Sequence, residues 1–275
     1  MTGENGRRSI FITGAGSGIG RAVARHFAAR GWFVGLADVS EAGMAETAAL
    51  LPAGQSHSQR LDVRDRAGWD VALAAFAEAA GARIDVMFNN AGIGVGGTLD
   101  ELSRDEIDAL IDVNVRGVVY GAQAAYPYLK ASAPGSALIN TSSAAGLYGT
   151  GGLALYSASK FAVRGLSEAL DLEWHADGIR VCSLMPDFVD TPLLDGPNNR
   201  AVNASRRESV VQAGFRFTPV ETVAEAVWRA VHGRKRVHHP VGKIARQLAC
   251  AARWTPGLLR RRLLRLMASA GVGRK

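Results

Sequence analysis

Five times in succession a short apolar run gives way to a helical pattern, and this alternation restricts the fold more than any other feature of the chain. "SIFITG" leads into "GIGRAVARHFAARG", "WFVGLAD" into "SEAGMAETAALL", and "HSQRLDV" into "RAGWDVALAAFAEAAG". "RIDVMFNNAG" precedes a long helical stretch near 103–130, and "SALINTSS" precedes "LALYSASKFAVRGLSEALDLEW". A sixth apolar run, "IRVCSLMP", follows. Strands that alternate with helices of ten or more residues build βαβ units on a parallel sheet. Right-handed crossovers then put helices on both faces. The expectation is an α/β, three-layer, doubly wound domain that binds ligands beyond the C-terminal ends of its strands.

The segment from Asp187 to about Pro219 breaks this rhythm with prolines, glycines and weak periodicity. A long irregular segment after a strand reads as a functional lid or mobile loop. Hydrophobic residues make up 48% of the 275 and charged residues 21%, enough for a sizeable core. No apolar run approaches the ~20 residues that span a bilayer. The lead "MTGENGRRSIFITG" has no signal-peptide pattern. There are two cysteines and no CxxC or His/Cys cluster, so no metal is expected and a reducing cytoplasm fits. Cys182, inside an apolar run, reads as a buried thiol.

The net charge of +7 is unevenly placed. Residues 1–233 carry 20 basic and 25 acidic residues; from Arg234 onward there are 12 basic residues and no acids. The division expected is one main domain over 1–240 and a basic extension over 241–275. Nothing in the chain suggests a nucleic-acid motif or aromatic platform.

The turn "ITGAGSGIGRAV" stands where the first strand meets the first helix. Gly14, Gly18 and Gly20 allow a tight turn and a close backbone approach, and the helix N-terminus offers free N–H groups to a pyrophosphate. Ser17 and Ile19 share the turn. The spacing Gly-x-x-x-Gly-x-Gly departs from G-x-G-x-x-G, with Ile19 in the last glycine's place. Asp38 ends the second run, where a carboxylate can accept ribose hydroxyls and repel a 2′-phosphate; it can also be read as a solvated helix cap beside Ser40. Asp62 ends the third run and could reach an adenine amino group, with Val63 packing nearby.

Six motifs follow in order: "TGAGSGIG" (13–20), "NNAG" (89–92), N-V-x-G (114–117), "SS" before a glycine (142–146), Tyr156-x-x-x-Lys160 and "PDFVDTP" (186–192). Together, over roughly residues 8–240, they make the chain resemble the short-chain dehydrogenase/reductase family. The resemblance implies a single Rossmann-type domain with a seven-stranded parallel sheet and hydride transfer between a nicotinamide cofactor and an alcohol or ketone. By position it implies a catalytic tetrad of Asn114, Ser143, Tyr156 and Lys160. Ser143 is preferred over Ser142 because it lies thirteen residues before Tyr156. The cofactor would lie on Gly14, Ser17, Gly18, Ile19, Gly20, Asp38, Asp62, Val63, Asn90, Ala91, Gly92, Tyr156, Lys160, Pro186, Val189 and Thr191, with Asn89 fixing backbone. The chain departs from the family at Asp187, which follows Pro186 where Gly is usual.

A Tyr phenol near pKa ~10 is a poor base at neutrality, and an ammonium one helical turn away favours phenolate. Tyr156 is then the general base in oxidation and the acid in reduction. Ser143 steadies the substrate oxygen, Lys160 holds the nicotinamide ribose, and Asn114 positions a water. Asp38 makes the cofactor NAD. The alternatives are an NADPH-dependent 3-oxoacyl reductase, with Arg21 toward the 2′-phosphate, and a non-catalytic dinucleotide-binding protein. Leu147, Tyr148, Leu153, Phe188, Leu193, Leu194 and Phe215 suggest an apolar pocket for a lipophilic secondary alcohol or ketone. Small residues on the 103–130 helix and on the Tyr/Lys helix fit a homodimer or homotetramer.

The tail "WTPGLLRRRLLRLMASAGVGRK" reads as a helix entered at Pro256. At about 100° per residue, Arg261, Arg262 and Arg265 share one face. Leu259, Leu263, Leu266 and Met267 share the other, with exceptions at Leu258 and Arg260. Two arrangements stay open: the apolar face docks on the body or a neighbouring subunit, or the helix makes a peripheral contact with an anionic membrane.

Overall fold

In the computed structural model, which describes residues 7–195, 197–199, 202–212 and 214–269, the alternation becomes a three-layer sandwich. The elements run β1 (Ser9–Thr13), α1 (Gly18–Ala28), β2 (Phe33–Asp38), α2 (Glu41–Ala49), β3 (Ser56–Arg60), α3 (Arg66–Ala79) and β4 (Val86–Asn89). Next come α4 (Arg104–Ile111), a π-turn at Asp112–Arg116, α5 (Gly117–Ala131), β5 (Ala137–Thr141), α6 (Ala154–Glu173) and β6 (Arg180–Pro186). The chain continues through β7 (Pro197–Asn199), β8 (Val202–Ser205), α7 (Arg206–Gln212), α8 (Val220–His232), β9 (His238–Val241), α9 (Lys243–Trp254) and α10 (Pro256–Ser269).

Seven strands form one sheet in the order β3-β2-β1-β4-β5-β6-β9, and every pairing in it is parallel. The expected seven-stranded, doubly wound Rossmann-type sheet is therefore present. Strands β1 and β4 are buried at every position, as central parallel strands covered on both faces must be. Edge strand β3, "SHSQR", is polar and only partly covered. One core packs α1 and α8 on one face through Val23, Phe27, Val223 and Val227. The other packs α3 and α5 on the opposite face through Trp69, Phe76, Ala125 and Leu129. The strand order reverses between β1 and β4, and the crevice at such a switch point is where open α/β sheets bind ligands.

Two readings change. The segment after β6 is not structureless: it holds a 3-10 turn at Pro192–Leu194, the antiparallel β7–β8 pair and α7. These elements have three to seven residues, too short to print a period on the sequence. The sheet also runs through Val241, paired with Pro186, one residue past the boundary drawn at 240, and α9 packs on β9 beyond it. The polar lead at 1–6 and the end of the tail at 270–275 lie outside the described residues.

Candidate active site

The β1–α1 turn is built by hydrogen bonds and by the absence of side chains. Gly14 and Gly18 adopt left-handed φ values of +65° and +50°, which favour glycine. A Cβ at Gly20 would stand 2.1 Å from the Gly14 carbonyl oxygen, so helix and turn approach as only glycine allows. Ser17 caps α1 in an extended conformation without using its side chain, and the first turn carries no acid. The helix therefore presents unclaimed N–H groups at its positive end, the chemistry a pyrophosphate requires. The Ile19 side chain is half-buried and packs on the core beneath.

Asp38, at the end of β2, faces this turn. One carboxylate oxygen accepts from Gly16 N at 2.8 Å and the other from Ser40 N at 3.0 Å. The cap of α2 is Ser40, whose hydroxyl accepts from Gly43 N, so Asp38 is not that helix's cap. Arg21 is held by Glu46, by Thr47 and by the Gly16 carbonyl of the turn itself. Asp62 accepts from Nε and Nη2 along one edge of Arg64, whose guanidinium keeps the carboxyl below its ordinary range. Buried Val63 packs against Gly117.

The loop after β4 is tied to β1. Thr13 Oγ1 accepts from the backbone N–H of both Asn90 and Ala91, and the Asn90 amide donates to the Thr13 carbonyl. Asn89 fixes backbone by donating to the Val118 carbonyl and to Asn140 Oδ1. Thr141 Oγ1 reaches Asn90 Oδ1 at 3.4 Å, and Lys160 Nζ donates to the Thr141 carbonyl at 3.0 Å. A hydrogen-bonded run thus joins the glycine turn to the lysine. A methyl at Gly92 would lie 3.3 Å from Asn114 Oδ1 and 3.6 Å from Lys160 Nζ, so these groups border one opening.

Asn114 lies in the π-turn, a distortion that is frequent at functional sites. Its side chain clamps Ile93, accepting from N and donating to O at 2.9 Å each, and also donates to Ser159. Ser142 is buried and donates to the Lys160 carbonyl, while Ser143, at the head of the next turn, hydrogen-bonds the Tyr156 oxygen. Lys160 Nζ stands 5.5 Å from the centroid of the Tyr156 ring.

The electrostatics differ from the sequence expectation. Burial pushes the Tyr156 phenol up, against the Ser143 hydrogen bond and the positive charge of Arg206, which both favour phenolate. Burial likewise lowers Lys160, 4% exposed, from 10.5 to about 8. Desolvation outweighs the help Lys160 was expected to give, because the ammonium itself is buried and its hydrogen bond goes to the Thr141 carbonyl. The cation acting on Tyr156 was not foreseen. Arg206 begins α7 in the lid, and nothing in that segment's pattern marked it.

Beyond β6 the lid roots itself near the turn. The Thr191 side chain lies 3.0 Å from where a Cβ on Gly18 would be, closing over the start of α1. Buried Val189 bridges Thr218, and Phe188 stacks on Phe215 at 5.3 Å. Arg207 ties α7 to Asp190, Asp195 and the Thr191 carbonyl. Asp187 follows Pro186 and turns away from the cleft. One oxygen accepts from Thr218 Oγ1 at 2.6 Å, and the other from Ile244 N at 3.0 Å at the start of α9. A Cβ on Gly242 would collide with this carboxylate, so the residue fills the place where the C-terminal helices join the body.

The chain has known counterparts. A family model described as "short chain dehydrogenase" matches residues 8–201. The meso-2,3-butanediol dehydrogenase of Serratia marcescens is 38% identical over 187 residues, covering 68% of this chain and 73% of that protein. The putative oxidoreductase SadH of Mycobacterium tuberculosis is 42% identical over 178 residues, covering 63% of this chain, and the match spans 62% of that protein's length. A solved short-chain dehydrogenase/reductase from Burkholderia phymatum, in complex with NAD, superposes with a TM-score of 0.78 at 29% identity, covering 93% of this chain and 95% of that one. A glycine turn that opens a helix, a parallel sheet reversing between β1 and β4, and a Tyr–Lys pair whose lysine is buried are all accounted for by one conclusion: the chain belongs to the short-chain dehydrogenase family of nicotinamide-dinucleotide-binding oxidoreductases.

Proposed function

We propose that this chain is an NAD-dependent oxidoreductase acting on a secondary alcohol or ketone, with Tyr156 as general acid–base. The observation that carries the reading is the contiguity of Ser143, Tyr156 and Lys160 with the loop that braces the glycine turn. A bound nicotinamide would supply or accept the hydride. Tyr156 Oη gives the proton to the substrate oxygen in reduction and takes it in oxidation. Its raised pKa suits it to donate at neutrality; oxidation needs the phenolate, which positive charge nearby favours. The Ser143 hydroxyl steadies charge developing on that oxygen. Asn114 holds the Ile93 backbone beside Lys160, and Lys160 holds the ribose.

The residues proposed to hold the dinucleotide are those of the β1–α1 turn, Asp38, Asp62 and Val63, the loop at 90–92, and Pro186, Val189 and Thr191. Asp38 supports NAD over NADP: its carboxylate accepts from Gly16 N, where it would repel a 2′-phosphate, while Arg21, which donates to the carbonyl of the same Gly16, has its charge paired with Glu46. This favours the dehydrogenase reading over an NADPH-dependent 3-oxoacyl reductase. Measuring kcat/KM with NAD and NADP on a panel of secondary alcohols tests both points. Preference for NADP overturns the cofactor assignment, and dinucleotide binding without turnover returns the non-catalytic reading.

Stacked Phe188 and Phe215 support a lipophilic portion of the substrate. A dimer or tetramer through α5 and α6 is supported by Val119, Phe161 and Leu172, which stand exposed on those helices. A mass by light scattering equal to one chain at micromolar concentration counts against it. No described helix is long and apolar enough to cross a membrane. The proposed location is the cytoplasm, with a peripheral contact through the tail. There Leu259 is buried, but Trp254 is 71% exposed and Leu258 65%, among Arg253, Arg260, Arg261 and Arg262. Co-sedimentation with anionic liposomes, comparing the full chain with one ending before Arg253, tests this; equal and negligible binding rejects it.

A further inference from the structure

Arg206 is the cation nearest the candidate chemistry that the roles above leave without a task. Its guanidinium lies between the lid and the loop after β4. Nη2 donates to the Leu193 carbonyl at 2.6 Å, on the lid side. Nη1 lies 2.8 Å from where a Cβ on Gly94 would be, on the loop after β4. Its positive charge also favours ionisation of the Tyr156 phenol. Gly94 follows β4 and Leu193 follows β6, so Arg206 joins two segments that leave the C-terminal ends of the sheet, where open α/β sheets bind ligands.

The hydrogen bonding of Arg206 is incomplete. Nε is buried and has no partner. Among the described residues no carboxylate pairs with it directly, and Asp195 acts on its charge without an ion pair, whereas its neighbour Arg207 pairs with Asp190 and Asp195. A desolvated guanidinium with an open N–H is costly. The group that fits it is an oxygen acceptor, and a carboxylate fits best, because the planar fork of donors matches two oxygens.

Resting on the oxidoreductase reading above, we propose that Arg206 is a specificity-determining residue that binds a second oxygen of the substrate, a few carbons from the carbon that exchanges hydride. The substrate class is then an apolar skeleton with a secondary alcohol or ketone and, close by, a carboxylate or another accepting oxygen. Arg206 shifts as that oxygen arrives, exchanging an unpartnered N–H for a charge-assisted hydrogen bond. In a site that must hold a charge-bearing oxygen, a substrate lacking it leaves the cation unpaired, so discrimination is large.

The test is a matched set: pentan-2-one, hexane-2,5-dione and 4-oxopentanoate share a methyl ketone and differ in what lies three carbons away. Reduction of each is measured with wild type, Arg206→Lys and Arg206→Met. The expected result is a kcat/KM preference of wild type for an oxygenated member over pentan-2-one of tenfold or more, falling toward one in Arg206→Met and partly kept in Arg206→Lys. Preference for 4-oxopentanoate assigns a carboxylate; preference for the dione alone assigns a neutral oxygen. The proposal is overturned by a wild type that does not prefer either, or by a ratio unchanged in Arg206→Met. Calorimetric binding of the three ketones to wild type and Arg206→Met, with NADH present, separates this from the catalytic reading. If the dinucleotide binds and no ketone turns over, oxygen-dependent binding lost in Arg206→Met still supports the assignment. Equal binding by both proteins, or none by wild type, refutes it.

Discussion

At the β1–α1 turn both oxygens of Asp38 are taken by backbone N–H groups and Thr13 Oγ1 accepts two more. In the lid, Arg207 is held by Asp190 and Asp195, carboxylates more than half exposed. The first region is fixed by hydrogen bonds from backbone N–H groups and by glycines whose neighbours touch. The second is held by ion pairs of a kind worth roughly 0–1 kcal/mol at an exposed surface. Phosphate and ribose look the same in every turnover and can be met by rigid backbone. On the function proposed above, the substrate face falls to these short elements, and binding loops generally open at low cost.

The comparison can be sharpened first at the seam between the regions. Tyr156→Phe keeps the ring and removes the proton carrier. It is expected to lower kcat/KM by about 10³- to 10⁴-fold with NADH affinity retained, read by fluorescence titration. A second change attacks the rigid side: Gly20→Ala sets a methyl against the Gly14 carbonyl and is expected to cost about 3 kcal/mol of stability, measured by urea unfolding. An unchanged midpoint would mean the turn is as compliant as the lid.

Lys160 gives the third test. Its native pKa is about 8 against an ordinary 10.5. Between those values the native protein has released the proton and the unfolded chain still holds it. The unfolded state binds more protons, so the stability associated with this group rises with pH across that window. Below pH 8 the buried cation costs about 3 kcal/mol relative to the neutral amine. The stability of Lys160→Met relative to wild type is expected to fall by that amount from pH 8 to 10.5; a flat difference contradicts it.

Smaller effects follow. Asp38→Asn is expected to reduce discrimination between NAD and NADP roughly tenfold to a hundredfold, the scale of one charge-assisted hydrogen bond of about 1.5–3 kcal/mol. Asp187→Gly, which restores the residue usual in the family, removes the acceptor at the start of α9. It is expected to cost about 1 kcal/mol, with faster amide exchange at Ile244 and Ala245.

The two regions were also unequally legible. Apolar runs and helical periods are local, so strands β1 to β6 and the helices between them could be read directly. Gly14, Gly20, Asp38 and Tyr156 carry their chemistry in type and spacing. The bracing by Thr13 and Thr141 depends on strands that neighbour each other only after folding. Arg206 was invisible for a related reason: α7 is too short to show a period, and an arginine beside Arg207 in a polar stretch reads as solvated surface. The fate of Asp187 hung on α9, 57 residues away.

That last contact gives the C-terminal segment a different standing. One carboxylate receives Thr218 from the far end of the lid and Ile244 from the first turn of α9. The end of the lid and the start of the basic helices therefore share one acceptor. Whatever the tail rests on, its attachment is registered at the root of the lid. Pulling α9 away strips one side of that carboxylate and loosens the other, so a fusion or cleavage after Val241 alters the entrance to the active site as well as the end of the chain.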